Sequence, residues 1–327
     1  MRNNYFSSDS DQKASNKNSE RAGSVCIVLS AVLFGIMPFL ARVACSQGSN
    51  AFSVAFGRFL FGALILMVII FFVPDCSIRI SRKALAEIIK ISVFYAVVPI
   101  LLYCSYDYID SGLATTLHFT YPVAVILILA LFYKTRMDPR QILCTILCVI
   151  GIFLLYSPNG EISLWGIFLA VLSGILYAVY IVQLGKSSVK ELSPLVLSFW
   201  LSLFSVIEIG LIALAFGRLT FDITPAGWGA EFLLAILTTV LALVLFQKGL
   251  VLCGEVKASL LSTFEPLTGI IIGVLAFQEV ITGRQCIGII GILAAALILV
   301  LPFSRLNRKD SASACQIEQA KGDHNEI

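Results

Sequence analysis

Charge is scarce in this chain. Asp, Glu, Lys and Arg make up 13% of its 327 residues and hydrophobic residues 58%, whereas a soluble domain carries about 25% charged residues. Too little polar surface exists to face water. The net charge of +3 is small and by itself says nothing about nucleic acid; no nucleic-acid partner is expected. There are two histidines, and none of the nine cysteines forms a CxxC pair, so neither a metal site nor a disulfide framework is expected. HExxH, GxSxG and a Walker GxxxxGK[ST] loop are all missing. That removes the sequence basis for a metalloprotease, a serine hydrolase or an ATP-driven pump. No cofactor is expected.

What the chain has instead is apolar sequence. Long apolar runs occupy residues 23–44, 51–73, 88–108, 112–133, 140–157, 163–184, 193–216, 229–252, 257–278 and 284–303. A bilayer core of roughly 30 Å takes about 20 such residues per helical crossing. The pattern predicts an all-α polytopic membrane protein with ten transmembrane helices. Its solvent is the lipid bilayer.

The placement of Lys and Arg orients it. Seventeen fall in the two tails and in the 74–87, 134–140, 185–192 and 253–257 connections; Arg218 and Arg284 alone fall in the alternate ones; Arg42, Arg58, Lys90 and Lys248 lie within spans or near their ends. By the positive-inside rule both termini are cytoplasmic. That requires an even number of crossings and suits a bacterial inner (plasma) membrane. Residues 1–22 and 304–327 are polar and are predicted to be cytoplasmic tails, the first disordered.

The chain also repeats itself at a shift of 144 residues: Ala114 on Ala258, Leu117 on Leu261, Pro122 on Pro266, and Arg140-Gln141 on Arg284-Gln285. Five spans are an odd number, so the second copy enters the membrane from the opposite side. Residues 23–157 and 163–303 are therefore predicted to be two inverted five-helix repeats, an architecture of secondary transporters.

Several segments resemble a known family. "FGIMPFLARVA" (34–44), "GRFLFGAL" (57–64), "GLATTLHFTYPVAVILILALF" (112–132), "GILYAVYIV" (174–182) and the long 257–299 segment are similar to spans one, two, four, six, nine and ten of the EamA branch of the drug/metabolite transporter superfamily. The resemblance implies a 5+5 transporter of small organic metabolites, with the Glu265-Pro266 pair in its transport region. It also implies an acidic residue after spans four and nine. Glu279 fills the second place, but its repeat mate is Thr135.

An ionisable group inside a membrane costs about 2.5–3.5 kcal/mol on insertion scales, so each is a functional candidate. Glu265 lies near mid-span, immediately before Pro266. His118 has Thr115 and Pro122 on its helix face. Three positions are polar in both copies: Tyr103 with Gln247, His118 with Ser262, and Tyr121 with Glu265. Glu265, His118, Tyr121, Tyr103, Gln247, Thr115 and Ser262 are thus the candidate binding or coupling residues. Pro38, Pro99, Pro122 and Pro266 are candidate hinges, and Glu279 a candidate structural contact. Arg58 either braces the fold, reaching toward the outer interface, or meets a substrate carboxylate. Glu208 has Arg58 as a conceivable partner. Asp107, Glu231 and Lys248 are expected at the interface, being near span ends.

The function expected is alternating-access transport of a small molecule, an amino acid or other metabolite, with a proton or an exchange metabolite as the second partner. Export is compatible with this. A nucleotide-sugar-type or drug-type exchanger of the same fold is one alternative. An intramembrane enzyme, or a channel or sensor, is another.

Overall fold

The computed structural model describes residues 4–74, 76–109, 111–135, 137–155, 163–277 and 282–300. Every regular element among them is helical. In chain order these are α1 (Asn4–Gly35), α2 (Met37–Ser46), α3 (Ala51–Phe72), α4 (Arg82–Ser105), α5 (Ser111–His118), α6 (Tyr121–Phe132), α7 (Pro139–Leu155) and α8 (Leu164–Lys186). After a 3₁₀ turn (Ser188–Glu191) come α9 (Pro194–Ala215), α10 (Pro225–Leu234), a π-helical segment (Ala235–Ala242), α11 (Leu243–Cys253), α12 (Glu255–Leu261), α13 (Phe264–Phe277) and α14 (Gly283–Val300).

Within the described residues each expected apolar run is mainly helical, with turns at 36, 106–108, 119–120 and 262–263. Among the described residues, 7 stretches are long and apolar enough to cross a membrane: Asn18–Ser46, Ala51–Phe72, Arg82–Ser105, Leu113–Phe132, Leu164–Lys186, Pro194–Ala215 and Pro225–Cys253. Pro139–Leu154 and Gly283–Ile298 are apolar but shorter, and the stretch expected as span nine is divided between α12 and α13. One boundary departs from expectation. The polar N-terminal segment, read from composition as disordered, is helical from Asn4, because the ladder of the first span continues through it. Lys257 Nζ holds this extension through Glu20 at 2.8 Å. Residues 304–327 lie outside the described residues.

Side chains set the helix ends. Asn50 Oδ1 accepts from the Phe52 and Ser53 amides, both at 3.0 Å, and starts α3. Ser81, Ser163 and Thr224 cap α4, α8 and α10 in the same way. These oxygens satisfy amides that have no partner in a first turn. Gly254, at φ +80°, makes the turn between α11 and α12, a conformation that costs glycine little.

Three prolines mark breaks. Ile36 separates α1 from α2, with Pro38 next inside; residues 119–120 separate α5 from α6, with Pro122 inside; residues 262–263 separate α12 from α13, with Pro266 inside. A first turn needs no proline N–H, so each helix stops and restarts around its proline. Pro99 instead lies within the continuous α4. In packing, α4 is wedged between α8 and α9, α3 lies on α9 and the π segment, α1 lies on α11 and α13, and α7 lies on α14. Large apolar side chains such as Phe71, Leu131, Phe132 and Leu164 remain exposed. In water they would be an association hazard; in a bilayer they face solvent of their own kind.

Candidate functional site

The three breaks meet. Gly35, the last residue of α1, lies so close to α13 that a Cβ there would stand 2.6 Å from the Glu265 carbonyl oxygen and 2.5 Å from Thr268 Cβ. Gly174 of α8 lies directly against the His118 carbonyl at the end of α5. Tyr121, the first residue of α6, has Ser262 and Glu265 beside it. Helix ends thus converge on one place, where irregular backbone is tolerated because protein surrounds it.

Glu265 sits at this place, part-buried. Its electrostatic neighbours are Arg58 from α3, Tyr103 from α4, Tyr106, Tyr121 from α6 and Tyr177 from α8. The tyrosines form a continuous array. Tyr121 and Tyr177 meet edge to face at 4.9 Å, Tyr177 stacks on Tyr180 at 5.6 Å, and Tyr180 stacks on Tyr95 at 4.6 Å. The His118 ring lies 5.5 Å from both Tyr121 and Tyr177. Ser173 Oγ donates to the Ala170 carbonyl at 2.6 Å and stands 2.8 Å from His118 Nδ1. With the hydroxyl turned to that carbonyl, Nδ1–H donates to Ser173 and Nε2 is left as an acceptor; with the other tautomer, Nδ1 accepts.

Arg58 corrects an expectation. It does not reach for the interface; it is 3% exposed and points into the bundle. Its Nη2 donates to Tyr95 Oη at 3.1 Å, Nε to Thr239 Oγ1 at 3.2 Å, and Nη1 to Tyr103 Oη at 3.4 Å, with Met37 Sδ 3.0 Å from Nη1. The Phe59 ring lies 4.8 Å below the guanidinium. All these partners are neutral. Among the described residues the ion pairs are Lys186–Glu255 and Lys257–Glu20, so no carboxylate is bonded to Arg58. Nor is Glu208 its partner: Glu208 Oε1 accepts from Ser92 on α4 at 2.7 Å.

Of the residues singled out by the repeat, Glu265, Tyr121, Tyr103 and Ser262 come together, with His118 against Tyr121. Thr115 faces Tyr106 at the edge of the group. Gln247 lies one layer away, beside Tyr180, where its Oε1 accepts from Ser198 Oγ at 3.0 Å. Glu279 lies outside the described residues. Glu231, expected at the interface, is fully buried: Ser49 Oγ donates to Oε1 at 2.6 Å, and Gly57 leaves room for Oε2. The loop between α2 and α3 folds over it. Tyr95 and Thr239 join the site although neither is among the expected residues. The 144-residue shift pairs them, and both bond to Arg58. The π segment presents Thr239, an irregularity often found at functional sites.

A family model described as the EamA-like transporter family matches residues 21–157 and again residues 164–301. An uncharacterized transporter of Archaeoglobus fulgidus is 30% identical over 283 residues, covering 85% of this chain and 96% of its own. The threonine/homoserine exporter RhtA of Salmonella typhimurium is 27% identical over 248 residues, covering 74% of this chain and 80% of its own. A solved crystal structure matches in fold with a TM-score of 0.70 at 14% identity, covering 85% of this chain and 96% of that one.

Proposed function

The chain belongs to the EamA-like transporter family, and from that premise we propose that it moves a small organic metabolite across the plasma membrane by alternating access. It is a transporter and not an enzyme. The two matches of one family model, the 144-residue repeat and the alternating basic loops support a reading as two inverted five-helix halves with both termini cytoplasmic. Glu265 and Arg58 are the groups that meet the cargo or its coupling proton.

One observation carries this: Glu265 and the Arg58 guanidinium sit in the same ring of tyrosines, close enough to feel each other but not bonded, where helices of both halves are broken. A buried cation whose hydrogen bonds all go to neutral groups is costly. Its retention fits a site that receives an anionic group from outside the protein. An ammonium would be drawn to Glu265 and to the aromatic faces, and a carboxylate to Arg58. An amino acid carries both, and the relative RhtA is named for threonine and homoserine export. Amino-acid export is therefore the favoured substrate reading.

The test is countertransport in proteoliposomes. Glu265→Gln preserves shape and hydrogen bonding but removes the charge. The variant is expected to insert and fold as wild type, with transport per folded molecule reduced at least tenfold. Turnover equal to wild type across pH 5–8 would reduce Glu265 to a brace.

A further inference from the structure

A second set of polar groups lies apart from Glu265, along one face of α9. Ser198, Ser202, Ser205 and Glu208 follow each other at steps of 4, 3 and 3 residues, which places them on one side of a helix over about 15 Å at 1.5 Å per residue. The three serines and Ser92 are 0% exposed. Buried hydroxyls elsewhere in these helices turn back on their own backbone: Ser105 to Leu102, Ser173 to Ala170, Ser259 to Val256 and Ser262 to Ala258. Ser202 and Ser205 do not. Their Oγ atoms have no partner, and neither does Glu208 Oε2, although it is shut off from the surface.

The strip joins the tyrosine array at its other end. Ser198 bonds to Gln247 Oε1 at 3.0 Å. Gln247 in turn stands against Tyr180, within reach of its hydroxyl, so the polar path continues from Ser198 into the array. Three of the eight buried unpartnered side-chain atoms among the described residues thus fall in one line along α9, at Ser202, Ser205 and Glu208. A buried polar atom without a partner costs about 1–3 kcal/mol. Three in a line, next to the Ser198–Gln247 pair, are relieved together by ordered water, which needs two to four polar partners each. Successive groups on this face rise by about 4.5–6 Å, the span of two hydrogen bonds through one water.

We propose that the α9 face holds a file of water that carries protons between the tyrosine array and Glu208, making Glu208 a second proton-carrying group of this transporter, separate from Glu265. The proton passes from water to the free Oε2 of the carboxylate and returns by the same file. Other charged groups on the packed helices are committed or turned away. Arg58 on α3 is held by Tyr95, Tyr103 and Thr239. On α4, Arg82, Lys83 and Lys90 are exposed and Glu87 bonds to Ser188. Lys248 on α11 and Glu191 of the 3₁₀ turn are exposed, and Lys190 donates to the Gly185 carbonyl. Against Glu208 itself stands the Ser92 hydroxyl. The role in coupling rests on the transporter reading; the water file does not.

Infrared spectroscopy of the reconstituted full chain separates the two. The difference between wild type and Glu208→Gln isolates the carboxyl bands of Glu208. In wild type, the protonated band is expected to appear within pH 5–9 and to shift in deuterated buffer within the first spectrum. In the Ser202→Ala/Ser205→Ala double variant, the dry apolar gap should slow that shift at least tenfold. Equal exchange in the two proteins, or no protonated band at any of these pH values, overturns the proposal. In proteoliposomes loaded with threonine, Glu208→Gln should lose at least half of the wild-type pH dependence of countertransport; an unchanged profile overturns its part in coupling. If wild type moves no threonine or other amino acid, the substrate reading fails, while the exchange rates still decide the water file.

Discussion

Replacing Arg58 by Met separates a brace from a binding group. Met keeps an unbranched apolar stem and removes the guanidinium and its charge. Two well-formed charged hydrogen bonds are lost, to Tyr95 at 3.1 Å and Thr239 at 3.2 Å, with a longer one to Tyr103 at 3.4 Å. Hydrogen bonds to charged groups contribute about 1.5–3 kcal/mol each, so the two good ones are worth about 3–6 kcal/mol. Against this, the variant no longer buries a charge in the membrane, which is worth about 2.5–3.5 kcal/mol. The net change in stability is therefore about 0–3 kcal/mol, and the protein should remain folded. Binding has no such compensation. A lost guanidinium–carboxylate contact of about 3 kcal/mol corresponds to roughly 100-fold weaker binding. The assay is substrate-dependent thermal stabilisation in detergent, paired with countertransport per folded molecule. Arg58→Met should keep a sharp melting transition and lose the stabilisation by amino acids. Arg58→Lys should not restore it, since one ammonium cannot reach the three hydroxyls that the planar guanidinium spans. An unfolded Arg58→Met, or a folded one that binds as wild type does, would refute the binding role.

Four further outcomes follow from the same geometry. Gly35→Leu should destabilise by more than about 2 kcal/mol, because α1 touches the backbone of α13 there; an unchanged melting temperature would show that the contact is loose. Glu231→Gln should melt at or above wild type, since it removes a buried carboxylate with an unpartnered oxygen while Ser49 keeps its acceptor, whereas Glu231→Ala should melt lower. Ser173→Ala should cost about 1–3 kcal/mol by leaving His118 Nδ1 without its hydrogen-bond partner; no loss of stability would mean that the histidine finds another. Reporter tags on either tail, and in the 74–87 loop, should report cytoplasm; an external N-terminus would end the inverted-repeat reading.

The sequence by itself determined the solvent of this protein. Hydrophobic runs are a local property, summed residue by residue, and no packing can make them soluble. Identity at a fixed shift is also local. It paired Tyr103, Tyr121 and Ser262 with their mates and drew attention to Glu265, and the prolines beside them marked where helices would break. What the sequence could not carry was the rotation of each helix about its own axis. These helices are apolar on nearly every side, so no polar stripe distinguishes the inward face. Arg58 could have reached for the interface or into the bundle, and only the packing of α3 against α9 and the π segment turned it inward, onto Tyr95 and Thr239. Burial near a span end is likewise nonlocal. Glu231 stands in the second turn of α10 and would face water if the loop from α2 did not close over it. Direction of side chains around a uniformly apolar helix is fixed by its neighbours, and neighbours exist only in three dimensions.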